Sequence, residues 1–238
     1  MSPWVWFLAG WLFAWLPFAF VLALTWILDL RTEREDRYWR KQTEPIRDAW
    51  RQEILDTRCD GHHVSLTNAG ISGDSTADML GRIERDVLPQ NPSLVLITAG
   101  GNDIKQFPAD VYRRNLARLV DMIADRGAVS VLQTYYAAVT DEADEVYRGF
   151  PAYMQACADL AAESDVPCID QHAMFHPWYL AEPDEYREIM RDALHLNPLG
   201  NAVMGTLCVR HFGLPDPELP AVLAEAVPAV LDRMARYA

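Results

Sequence analysis

The chain opens on an apolar run, passes through a charged segment with one apolar stripe, and ends in short apolar stretches that alternate with amphipathic ones. From Ser2 to Leu28 no side chain is charged, and five of the eight Trp (Trp4, Trp6, Trp11, Trp15 and Trp26) fall there. A helix needs about 20 apolar residues to cross a bilayer. Residues 3–29 are therefore expected to form one N-terminal transmembrane helix, with Pro17 at a kink that membrane helices tolerate. A cleaved signal peptide fits less well, because no Lys or Arg precedes the run and "VLALTWILDL" is a poor cleavage site. Five basic residues lie between Arg31 and Lys41, and the positive-inside rule then places the soluble part on the cytoplasmic side of a single-pass protein.

Residues 30–61 read as a charged helical stalk. Trp39, Ile46, Trp50 and Ile54 recur at spacings of seven, four and four, which puts them on one face that packs on the domain. From His62 to the end the period alternates. "HVSLTNA" (63–69), "SLVLITA" (93–99), "AVSVLQTY" (128–135) and "VPCID" (166–170) read as strands. Helices are expected over Thr76–Leu88, Ala109–Arg126, Phe150–Glu163, Pro198–His211 and roughly Pro220–Arg236. Such alternation means βαβ units and a mainly parallel sheet with helices on both faces.

The formal net charge of −13 belongs entirely to the part after Leu28. That disfavours nucleic acid and anionic headgroups as partners. Four cysteines, Cys59, Cys157, Cys168 and Cys208, have no C-x-x-C spacing, and buried free thiols account for the latter three. His172 and His176, in "DQHAMFHPWY", could line a cleft after the last strand, but no Asp, Glu or Cys at ligand spacing suggests a metal. No metal or cofactor is expected. The absence of G-x-G-x-x-G and Walker patterns disfavours a nucleotide-binding domain.

In doubly wound folds ligands bind beyond the carboxyl ends of the strands, and three polar motifs stand there. "NAGISGDST" supplies Gly70 and Gly73 in a strand-to-helix turn, where free N–H groups could hold an anion. Its plainer explanation is a turn in which Asp74 or Ser75 caps the next helix. "TAGGNDI" ends a buried strand with two glycines, and Asn102 could aim its amide at a developing negative oxygen. Alone, it also reads as a capped turn. "RDALHLNPLG" places Asp192 three residues before His195, close enough to fix the imidazole tautomer as a general base requires.

Taken together, N-x-G-x-S-G, G-x-N-D and D-x-x-H, in that order after successive strands, resemble the SGNH hydrolases, also called GDSL-like lipases and esterases. The resemblance runs from about Val64 to Gly213. It implies a flavodoxin-like three-layer αβα sandwich over residues 62–238 and hydrolysis of an acyl or acetyl ester of a lipid, sugar or small molecule. By motif, Gly73 and Asn102 resemble the oxyanion-hole residues, and Asp192 and His195 the acid and base.

The family's nucleophile motif, a strand ending in Gly-Asp-Ser, has no counterpart upstream of Asn68, where the only serines are Ser2 and Ser65. In "ILDLRTERE", Leu30 stands where that serine should be. Ser75 lies in a strand–turn–helix setting like a nucleophile elbow, yet its surroundings fit the glycine motif at every informative position. Thr57 and Cys59 are the remaining candidates. Three outcomes stay open: an esterase with a displaced nucleophile, activation of water by His195 and Asp192, or a catalytically silent binding or scaffold protein.

Overall fold

The computed structural model describes residues 66–237. The expected membrane helix and stalk lie outside the described residues, as do residues 63–65 of the first expected strand; residues 66–70 carry no strand. Among the described residues, no helix is long and apolar enough to cross a membrane.

Three parallel strands, β1 (Leu94–Thr98), β2 (Val129–Gln133) and β3 (Cys168–Ile169), pair in the order β1-β2-β3. Leu94 pairs with Val129 and Thr98 with Gln133, while Gln133 pairs with Ile169. All three strands run the same way, so the segments after Thr98, Gln133 and Ile169 emerge at one edge of the sheet. The fold is α/β with a parallel sheet.

Helix α1 (Thr76–Asp86) precedes β1, α2 (Ala109–Ala124) joins β1 to β2, and α3 (Phe150–Glu163) joins β2 to β3. The apolar stripe of α2, Leu116, Leu119, Val120 and Ile123, is buried against Ile97, Leu132, Met154 and Leu160. Burying one such side chain contributes about 1.5–3 kcal/mol relative to exposure, so this stripe decides which face α2 turns to the sheet. Pro151 and Pro198 stand in the first turns of α3 and α6 (Pro198–His211), where the missing N–H costs nothing. Both helices run over the residues that the sequence pattern indicates.

Two departures from that pattern have physical causes. The single helix expected over 220–236 is two, α7 (Ala221–Ala224) and α8 (Ala226–Met234). Pro228 has no N–H to offer the Ala224 carbonyl, which ends the ladder there. The pattern marks no element between residues 171 and 197, yet α4 (Gln171–Ala181) and α5 (Pro183–Arg187) occupy it. Pro177 inside α4 and Pro183 at the start of α5 obscure both helices. The buried aromatics of α4, Phe175, Trp178 and Tyr179, hold it in place without a clean amphipathic period.

Candidate active site

Two groups of sequence-selected residues stand at the carboxyl edge of the sheet, one tied to the loop after β1 and the other to the segment after β2. In the first, Gly73 adopts φ +92°, a backbone region that favours glycine, and nothing lies within 4 Å of the position a Cβ would take. Its conformation, rather than crowding, explains the residue. The turn is held by Arg82, whose guanidinium pairs with Asp74 at 2.6 Å and donates to the Ala69 carbonyl at 2.7 Å. Asn102 Nδ2 donates to the Asp74 carbonyl at 3.0 Å, so its amide stands beside the Gly73 turn.

Asp103 explains why these segments meet. Its fully buried carboxylate accepts from the Thr76 backbone N–H at 3.0 Å and 3.1 Å, and from the Thr76 hydroxyl. The Thr76 hydroxyl in turn accepts from Asn115 Nδ2 at 3.2 Å. Orphan N–H groups at a helix start are a natural seat for a carboxylate, here supplied from the loop after β1. Gly100, at φ +118°, turns the chain ahead of Asn102 and lies against Met154: a Cβ there would stand 2.8 Å from Met154 Cε.

Ser75 does not point into this setting. It is 0% exposed and caps α1 in a capping box with Asp78. Its hydroxyl donates to Asp78 Oδ2 at 2.6 Å, and its backbone N–H donates to the same oxygen at 2.9 Å.

The second group is Asp192 and His195. His195 Nδ1 lies 2.8 Å and 3.0 Å from the two carboxylate oxygens. Asp192 Oδ1 also accepts from the backbone N–H groups of Leu194 at 2.8 Å and His195 at 2.9 Å. Partial burial pushes the Asp192 carboxyl up, but these N–H groups and the imidazole outweigh it and hold it below the usual carboxylate range. Asp192 is thereby kept ionised, as an orienting acid must be. His195 is exposed, and no described hydroxyl bonds its Nε2.

The loop carrying this pair is fastened to the segment after β2. Tyr136 Oη donates to the Leu194 carbonyl at 2.7 Å, and the Val139 N–H donates to the Ala193 carbonyl at 2.9 Å. Behind the loop, Asn197 caps α6 and Gly200 presses on the Ile189 carbonyl, where a Cβ could not fit. Sequence reasoning missed Asp103 as a tie to α1, and missed Tyr136 entirely. The only available signal was position, since "TYYAA" directly follows a strand.

His172 and His176 stack on α4 with centroids 4.5 Å apart. The backbone N–H of His172 donates to Thr134 Oγ1 at 2.9 Å, which places it behind the segment after β2. Burial, reinforced by His176, pushes His172 down to about 4; burial also lowers His176. Among the described residues, no group of three or more His, Cys, Asp or Glu could hold a metal ion.

A parallel α/β sheet with a glycine–asparagine turn and an Asp–His pair at its carboxyl edge defines a class of hydrolase fold. The model of the GDSL-like lipase/acylhydrolase family matches residues 36–203, and the chain belongs to that family. An arylesterase of Vibrio mimicus is 36% identical over 90 residues, covering 37% of this chain and 45% of that protein. An acetylxylan esterase of Geobacillus stearothermophilus is 24% identical over 161 residues, covering 63% and 73%. The chain thus matches under half the length of the first relative and nearly three quarters of the second. Among solved structures, an acetyl xylan esterase superposes with a TM-score of 0.59 at 24% identity, over 68% of this chain and 87% of that one. A catalytic mutant of the Geobacillus enzyme gives 0.60 at 22%, over 72% and 82%. At these identities the two structures speak for the fold.

Proposed function

We propose that the protein hydrolyses carboxylic esters, with an acyl or acetyl group on a lipid, sugar or small alcohol as the substrate class. The observation that carries this reading is the Asp192–His195 pair, which fixes Nδ1 and leaves Nε2 available at the same sheet edge as Asn102. In that geometry Nε2 takes a proton from the attacking hydroxyl and returns it to the departing alkoxide. The Gly73 N–H and the Asn102 amide then face the oxygen on which charge develops. The relatives named arylesterase and acetylxylan esterase support the ester class. Solved catalytic mutants of the Geobacillus enzyme replace a serine, an aspartate, and a histidine three positions beyond that aspartate, the spacing of Asp192 and His195.

With Ser75 committed to Asp78, the attacking group is either water or a hydroxyl or thiol from outside the described residues, where Thr57 and Cys59 stand. Hydrolysis of p-nitrophenyl acetate by the wild type, His195→Ala and Ser75→Ala tests the reading. Activity is expected to disappear in His195→Ala and to survive in Ser75→Ala. Loss in both variants would make Ser75 the nucleophile.

A second reading, a silent SGNH-like binding protein, draws support from the lack of any described hydroxyl bonded to His195. It predicts no hydrolysis by the wild type and no labelling by a fluorophosphonate. We further propose the anchored organisation: a membrane helix over 3–29, a stalk over 30–61 and a three-layer sandwich over 62–238 facing the cytoplasm. Retention of the full chain in carbonate-washed membranes, and its release on removal of residues 1–29, would support the anchor. Release of the full chain by carbonate would overturn it.

A further inference from the structure

We propose that Tyr135 is a substrate-contacting residue, its phenol donating a hydrogen bond to an ester oxygen; this contact rests on the ester-hydrolase reading. Tyr135 stands two residues after β2, at the same edge of the sheet as both groups. On one side, its ring carbons Cε2 and Cζ stand 3.8 Å from where a Cβ of Gly101 would be, and its Oη stands 3.9 Å away. Gly101 immediately precedes Asn102. On the other side, Tyr135 packs edge-on against Tyr136, with centroids 6.0 Å apart, and Tyr136 holds the carbonyl next to His195.

The ring is well supported. It packs against Phe150 at 6.1 Å, and the Tyr135 backbone N–H faces Met154 Sδ at 3.1 Å. The hydroxyl, by contrast, has no hydrogen-bond partner among the described residues, and it is not among the buried polar atoms sealed without one. The neighbouring tyrosines differ: Tyr112 donates to the Ala99 carbonyl, Tyr147 to the Gly101 carbonyl, and Tyr136 to the Leu194 carbonyl. Tyr135 alone of these four has no acceptor among the described residues, and its hydroxyl stands beside Gly101, next to Asn102. A held ring with an uncommitted hydroxyl is the arrangement that a preorganised donor needs. Burial, then the nearby Asp103 carboxylate, raise the phenol above its ordinary range, so it is protonated at neutral pH.

Gly101 has the complementary property. A methyl there would make ordinary contact with the Tyr135 ring and would partly cover Oη, without a backbone clash.

The test measures kcat and KM for p-nitrophenyl acetate with Tyr135→Phe, Gly101→Ala and the double variant, together with Tm. Tyr135→Phe keeps the ring and is expected to lower kcat/KM by about 10–100-fold, mostly in kcat, with Tm unchanged. Gly101→Ala is expected to lower it several-fold in the wild type and not at all in the Phe background. Values of kcat/KM within twofold of wild type for Tyr135→Phe would overturn the proposal, as would full additivity of the two changes. A wild type that hydrolyses no ester would defeat the ester-hydrolase reading instead. The contact is then judged by equilibrium dialysis with the non-hydrolysed amide p-nitroacetanilide. Binding weakened at least threefold in Tyr135→Phe supports it, whereas equal binding, or none to either protein, overturns it.

Discussion

The carboxylate of Asp103 accepts from both the backbone N–H and the hydroxyl of Thr76, so the loop after β1 closes over the first turn of α1. This tie brings Asn102 beside the Gly73 turn. Asp103→Ala would strand two buried donors and is expected to cost about 3 kcal/mol. Because Asn102 moves with its neighbour, kcat should fall as well. Urea unfolding and p-nitrophenyl acetate kinetics check both halves, and a variant of wild-type stability would contradict the tie.

Ser75→Ala should behave in the opposite way. Losing an N-cap costs about 1 kcal/mol, while the hydroxyl is engaged with Asp78. The expected result is a lowered Tm with kcat/KM within a few-fold of wild type.

Asp192→Asn keeps the shape of the side chain but removes the charge that orients His195. A fall in kcat of about 10²–10⁴ is expected with little change in Tm, following the behaviour of acid–base pairs of this kind. Steady-state kinetics at neutral pH is the measurement. Parity with wild type would show that the Asp192 charge is not needed to orient His195.

Acid should loosen the fold through His172. Its folded value of about 4 lies below the 6.5 of an unfolded histidine, so the unfolded chain binds more protons between those values. The stability contributed by neutral His172 is complete above about pH 6.5 and declines as pH falls towards 4. The slope is at most about 1.4 kcal/mol per pH unit for one proton. His176 acts in the same direction, while Asp170 opposes part of the effect. Urea midpoints at pH 7 and pH 5 should differ less in His172→Gln than in the wild type.

Gly200→Ala would normally strengthen a helix by about 1 kcal/mol. Here its methyl would run into the Ile189 carbonyl and stand 2.8 Å from Leu196 Cδ2. Backbone cannot yield as a flexible side chain does. A loss of about 1–3 kcal/mol is expected, with lower kcat because the loop of Asp192 and His195 shifts.

What could be read from the sequence was what lies close together along it. Asp192 and His195 share one turn, and α3 and α6 each carry a proline in the first turn, a start signal that stands in the helix itself. Helix α4 was hidden because Pro177 interrupts it and its buried side chains do not keep to one stripe. The ties that assemble the site were hidden for a different reason. Tyr136 and Leu194 are 58 positions apart, and Asp103 and Thr76 are 27 apart. Neither pair carries a local pattern that singles out its partner. The serine of "GDST" drew attention by its letters, and only its bonds to Asp78 show it serving α1.

The Asp192–His195 turn also bears on how this site changes over generations. The proposed acid and base sit within four residues, and the His195 carbonyl accepts from the Arg191 and Asp192 backbone N–H groups while Asp192 binds the imidazole. A single inserted codon between them would abolish both functions at once. The oxyanion turn and any nucleophile are inherited on separate stretches of gene. They can be lost one at a time, leaving the acid–base half intact and ready to serve a new attacking group.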